Sequence, residues 1–168
     1  MHEGARSAVT IAVLCTLLLI GALWGWSEAT KPLPGKAEAP TCVSQVIERG
    51  EKLYPDQVVV SVFNAGTREG LAGRTMRLFV DEGFREGASG NAPARARVAR
   101  AEIWTADPAS PAVALVASHL GPDTRIVRRR ATGSAVVVVV GDRFTRLAKG
   151  RELVVAKRDT EVCTPPIA

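Results

Sequence analysis

The residues best placed to do chemistry are Asn64-Ala65-Gly66-Thr67-Arg68-Glu69-Gly70. They lie between a branched apolar run, Val58 to Phe63, and an amphipathic stretch beginning at Leu71. A strand, loop and helix in that order leave backbone N–H groups free at the helix N-terminus. Those groups can hold an anion, with Thr67 and Arg68 as added donors. The segment is neither G-x-G-x-x-G nor a Walker A sequence, since it lacks a second close glycine and a Lys-Ser/Thr pair. A plainer use of the same residues is structural: Asn64 and Gly66 make the turn, and Gly70 lets the helix pack closely.

The arginines are the next candidates. Arg95, Arg97 and Arg100 precede one strand-like segment, and Arg125, Arg128, Arg129 and Arg130 lie in and after another. If those strands are neighbours, the side chains form one positive face for a polyanion. The bland alternative is a solvated surface. His119 is the sole histidine beyond His2, and its helical setting suggests a surface residue rather than a general base. Asp81 and Glu82 are adjacent on a helix and point to different sides, so they are no carboxylate pair. Glu102 and Asp142 meet only if the strand order brings them together. With no nucleophile elbow and no Cys/His grouping at zinc spacing, the sequence implies no catalytic set, no metal and no cofactor.

The elements that must position these residues follow from pattern. Val58 to Phe63 reads as a buried strand, and Leu71, Met76, Leu78, Phe79 and Val80 as one wide helical face. Gly83 stands where a helix ends in a positive-φ residue. Cys42 to Tyr54 suggests a short helix, through Val43, Val46, Ile47 and Leu53. Phe84 to Pro93 is a weak strand or a loop, and Ala101 to Thr105 a short strand. Asp107-Pro108-Ala109-Ser110-Pro111 doubles a helix-start signal, after which Val113, Val116, Ala117 and Leu120 recur at helical spacing. Thr124 to Val127 is a candidate strand. Ala135 to Val140, without alternation, reads as a central strand covered on both faces. Phe144 to Ala148 suggests a helical turn, and the tail has strand character at Leu153 to Ala156. The expected fold is α/β: a small mixed, partly parallel sheet of four to five strands with two main helices, preceded by one transmembrane helix.

That transmembrane expectation rests on Val9 to Trp26, which carries no charge. The run is about the minimum length that crosses a bilayer, and Trp24 and Trp26 stand where interfacial aromatics belong. It fits an uncleaved signal anchor or, through Ser27-Glu28-Ala29, a cleaved signal peptide; length and the paired Trp favour the anchor. Basic flanks do not settle orientation, since Arg6 precedes the run and Lys31 and Lys36 follow it. Cys42 and Cys163 do, because two cysteines bracketing a domain suit a disulfide in an oxidising compartment. Cys15 reads as an apolar filler within the span. The organisation expected is residues 1–8 cytoplasmic, 9–26 a signal anchor, 27–55 a Pro-rich linker with Cys42, 56–148 the domain, and 149–168 a tail with Cys163. The net charge is +5, and 17 of the 22 basic residues are arginine, as codons of a GC-rich genome would produce. Outside a membrane, a basic protein meets wall polymers or lipid headgroups rather than nucleic acid.

Several stretches in order resemble the LytR C-terminal domain family, an envelope module. They are VSVFNAGTREGLA, Gly83-Phe84, Ser89-Gly90-Asn91, AEIWT, the helix from Pro111 to Leu120, and VVVVVGDRF at Val136 to Phe144; together they span about Asp56 to Leu147. The single span and the flanking cysteines resemble the family's short membrane-anchored members, as found in actinobacteria. The resemblance implies a non-enzymatic extracytoplasmic module supporting cell-envelope integrity or assembly, with a cell-wall polymer or an envelope assembly protein as partner. An accessory regulator of a wall-polymer ligase is the first alternative. A small enzyme using the Asn64–Gly70 loop as an anion site is the second. In relatives fused to a LytR–CpsA–Psr domain the transferase chemistry belongs to that domain, which this chain lacks. Oligomeric state is not legible.

Overall fold

The computed structural model describes residues 11–22, 24, 43–129 and 135–165. The chain divides into two units, Met1–Ala39 and Pro40–Ala168. In the first, residues 11–22 are helical. No helix among the described residues is long and apolar enough to cross a membrane, and both ends of the Val9–Trp26 run lie outside them.

Among the described residues of the second unit are nine strands and two α-helices. The strands are β1 (Val43–Ile47), β2 (Lys52–Leu53), β3 (Val59–Asn64), β4 (Arg85–Asn91), β5 (Ala101–Thr105), β6 (Arg125–Arg128), β7 (Val136–Val140), β8 (Val154–Val155) and β9 (Thr160–Thr164). The helices are α1 (Leu71–Asp81) and α2 (Pro111–Leu120). A mixed five-stranded sheet runs in the order β4-β3-β7-β5-β6. β3 is parallel to both β4 and β7, β5 is antiparallel to β7, and β6 is parallel to β5. Two β-α-β units of opposite direction therefore flank β7.

β7 is central and buried along its whole length, as its unbroken valines require. Val136, Val138 and Val140 join α1, α2, Val60, Val62 and Ile103 in the main core. Val137 and Val139 face the other side and pack with Val98, Phe63 and Trp104. Both helices thus contribute to one core on one face of the sheet.

α1 buries Leu71, Ala72, Thr75, Met76 and Phe79, and it ends as its sequence prescribes. Gly83 has φ +90, its N–H donates to the Val80 carbonyl, and the Phe84 N–H donates to the Phe79 carbonyl at 3.0 Å. The Phe79 and Phe84 rings meet edge to face at 5.4 Å. This is the Schellman ending, with its apolar contact across the cap. α2 starts at Pro111 after Ser110, and the Ala109 N–H donates to Asp107 Oδ1 just upstream.

Two local expectations differ from the structure, and of the two readings of Phe84 to Pro93 the strand holds. Residues 43–47 form a strand, not a helix, because β1 pairs antiparallel with β9, Ser44 lying opposite Cys163. Tertiary pairing there overrides a pattern compatible with helix. Residues 85–91 form a full edge strand. It carries a bulge where Gly87 and Ala88 oppose Ser61, and Ser61 Oγ accepts the spare Ala88 N–H at 3.1 Å. Phe144 to Ala148 is not helical: the segment is held open by the Ala148 N–H donating to the His119 carbonyl and by Phe144 in the core.

Candidate functional site

β3, β4 and β7 are parallel, so their carboxyl ends, Asn64, Asn91 and Val140, stand together. The loops leaving them enclose an open crevice of about 960 Å³. Asn64, Thr67 and Glu69 line one side, Asn91 and Arg97 another, and Asp142 a third. Crevices outside the carboxyl ends of parallel strands are where α/β sheets usually bind ligands.

Thr67 lines this crevice, and the anion that it holds together with Arg68 is internal. The Thr67 and Arg68 N–H groups both donate to Asp142 Oδ1, at 2.8 and 3.1 Å. Thr67 Oγ1 donates to Asp142 Oδ2 at 3.2 Å. The Arg68 guanidinium donates to the Asp142 and Phe144 carbonyls, at 3.2 and 2.9 Å. These donors, the Thr67 N–H first, hold the Asp142 carboxyl below its ordinary value of 3.8. Asn64 closes the turn from within: its Oδ1 accepts the Gly66 N–H at 2.8 Å and its Nδ2 donates to the Arg68 carbonyl at 2.9 Å. Gly66 permits this close approach, since a Cβ there would lie against Asp142 Oδ1 and 2.7 Å from its Cγ.

Among the described residues, Arg95, Arg97 and Arg100 do not share one face with Arg128 and Arg129. Arg95 and Arg97 are exposed on the loop between β4 and β5, and Arg97 Nη1 donates to the Ala94 and Ala96 carbonyls. Arg100 is partly buried; its guanidinium lies 5.9 Å from the Phe144 ring centre. Because β5 and β6 are parallel and Thr105 pairs with Arg128, Arg128 and Arg129 lie at the far end of β5, about 15 Å from Arg100 by strand rise. Arg130 lies outside the described residues. Glu102 and Asp142 are likewise engaged apart.

Two clusters were not expected from sequence. On the helix-free face, the Trp104 indole N–H donates to Glu102 at 3.0 Å, Arg125 pairs with Glu102 at 3.5 Å, and Arg129 lies over the indole at 4.4 Å. Only the β5–β6 register brings these together. His119 is the second: it is 3% exposed rather than on the surface. Its Nε2 lies 3.2 Å from the Arg151 carbonyl, its Nδ1 3.7 Å from Glu82, and its ring edge-on to Phe84. The Ala148–Arg151 segment buries it, a cover that no local signal at His119 announces. Cys163 is buried in β9, while Cys42 lies outside the described residues. No grouping of three metal-ligating side chains occurs among the described residues.

Residues 57–144 match the family model described as LytR cell envelope-related transcriptional attenuator. No curated protein matches. A solved structure, the soluble domain of a conserved hypothetical secreted protein from Mycobacterium marinum, is similar at 24% identity with a TM-score of 0.47. The likeness covers 60% of this chain and 77% of that one.

Proposed function

We infer the function from one premise: this chain belongs to the LytR C-terminal family of cell-envelope proteins. It acts as a non-enzymatic binding module outside the cytoplasmic membrane, anchored by residues 9–26, and its partner is a cell-wall polymer or an envelope assembly protein. The observation that carries this reading is the crevice at the ends of β3, β4 and β7, on the very segment that matches the family. Of the two carboxylates that line it, Asp142 is engaged by the loop opposite rather than placed as an acid or base.

A Cys42–Cys163 disulfide belongs to the same reading. β1 begins one residue after Cys42, and its register sets Ser44 opposite Cys163, which supports a short path between the two.

Sedimentation of the full chain, in detergent, with purified cell wall tests the proposal. Saturable co-sedimentation is expected. Failure to sediment, together with no envelope protein recovered in a pull-down from membranes, would overturn it.

A further inference from the structure

Where the binding reading leaves the ligand open, the crevice itself constrains the chemistry. A phosphate or carboxylate ligand would need free, convergent donors at the Asn64–Gly70 loop. The two backbone donors best placed for one, Thr67 N–H and Arg68 N–H, are both given to Asp142. The Arg68 guanidinium is turned away onto the Asp142 and Phe144 carbonyls. An incoming anion would meet the Asp142 carboxylate in the place it needs.

What remains available has a different character. Asn64 and Asn91 are register partners at the ends of β3 and β4, but only Asn64 is used internally. The Asn91 amide and the Glu69 carboxylate have no hydrogen-bond partner among the described residues. Arg97 is braced through Nη1 against its own loop, which fixes the guanidinium and leaves Nε and Nη2 unused. These are planar groups, each with two hydrogen-bonding positions: an amide, a carboxylate and a guanidinium. Such groups suit paired hydroxyls and acetamido groups, which both donate and accept. Between them the crevice is lined by Ala65, Ala92, Pro93 and Ala96, small apolar surfaces that fit the C–H faces of a sugar ring. The volume of about 960 Å³ admits several rings.

We propose that the crevice binds a neutral saccharide segment through Asn91, Arg97 and Glu69, with Asp142 acting as a built-in anion that excludes phosphate-bearing polymer. This rests on the binding reading above and narrows its ligand class.

Calorimetric titration of the full chain in detergent tests it. The probes are a neutral N-acetylglucosamine tetramer and, separately, a glycerol phosphate oligomer. The tetramer should bind saturably, and Asn91→Ala and Arg97→Ala should each weaken it about tenfold, the loss of roughly one good hydrogen bond. Arg128→Glu with Arg129→Glu, at the other end of β5, should leave it unchanged, and the phosphate oligomer should not displace it. Both alanine variants alter exposed side chains, and retained thermal unfolding would confirm their fold. Absence of tetramer binding, binding indifferent to both alanine variants, or displacement by the phosphate oligomer would each overturn the proposal. Wild-type protein that sediments with cell wall but ignores the tetramer would sink this inference alone and leave the broader function standing.

Discussion

Asp142 accepts the Thr67 N–H at 2.8 Å, across 75 residues of sequence. This contact joins the loop after β7 to the loop after β3, and so fixes one wall of the crevice. A carboxylate in a cradle of backbone N–H groups is held ionised, because each donor favours the charged form. The loop donors that the sequence offers to an anion are taken by a carboxylate of the same chain.

Stability should therefore depend on Asp142 in a defined pH window. The native carboxyl is held below its ordinary value by the Thr67 and Arg68 donors. A group with a lowered native pKa stabilises the fold above its unfolded value, about 3.9, and loses that contribution as pH falls through the native value. Asp142→Asn should lower the melting temperature at neutral pH. Its deficit against wild type should stay level down to about pH 5 and shrink steadily below about pH 4. Thermal melts across pH 7 to 2.5 check this; a deficit that grows on acidification would contradict the assignment.

The close approach of the loops makes two glycines unequal. At Gly66 an added Cβ meets the Asp142 side chain, which can swing aside only by giving up its loop donors, and the Asp142 main-chain N at 2.9 Å. At Gly141 it meets the Val98 carbonyl and, at 2.8 Å, the Ala99 carbonyl, both main chain. Gly66→Ala should cost about 1–2 kcal/mol, and Gly141→Ala about 3 kcal/mol or more, as overpacking against rigid neighbours does. Urea unfolding of both variants measures the order; Gly66→Ala proving the worse would refute it.

Much of the frame was legible because local pattern and tertiary role agree. The unalternated valines of β7 require cover on both faces and receive it. Gly83 marks the end of α1, and Pro111 the start of α2. What was not legible depends on partners far along the chain. Val43, Val46 and Ile47 are spaced as a helix face, yet β9 draws them into a strand. His119 lies at the end of α2, and only the fold of the Ala148–Arg151 segment buries it. At the site, Thr67 and Arg68 could be chosen from strand–loop–helix order, whereas Asp142 could not. Its role appears only when β7 is placed beside β3.

Gly150 reports on the cover over His119. A Cβ at Gly150 would lie against the imidazole ring, whose Nδ1 is 2.5 Å from it. The same segment is tied by the Arg151 N–H to Ser118 Oγ at 3.0 Å and by the Ala148 N–H to the His119 carbonyl at 2.6 Å. Gly150→Ala should cost about 1–3 kcal/mol and raise amide exchange at Ala148 and Arg151, while the crevice loops keep their protection. Equal loss of protection throughout the unit would show that the segment is no separate cover.

Ser61 supplies the last test, at the bulge in β4. Its hydroxyl is the acceptor for the Ala88 N–H, the donor left over where two residues of β4 oppose one of β3. Ser61 is 6% exposed, so water has little access from its side. Ser61→Ala removes the acceptor without adding bulk and strands the N–H. The expected cost is about 1 kcal/mol, at the low end for an orphaned donor because Ala88 itself lies on an exposed edge. Ser61→Thr keeps a hydroxyl but adds a methyl beside Gly87, whose own Cβ position is already 2.6 Å from Ser61 Oγ. It should recover no stability. Amide exchange at Ala88 separates the effects: faster in Ser61→Ala than in wild type if the hydrogen bond matters, unchanged if the bulge is held by Gly87 alone.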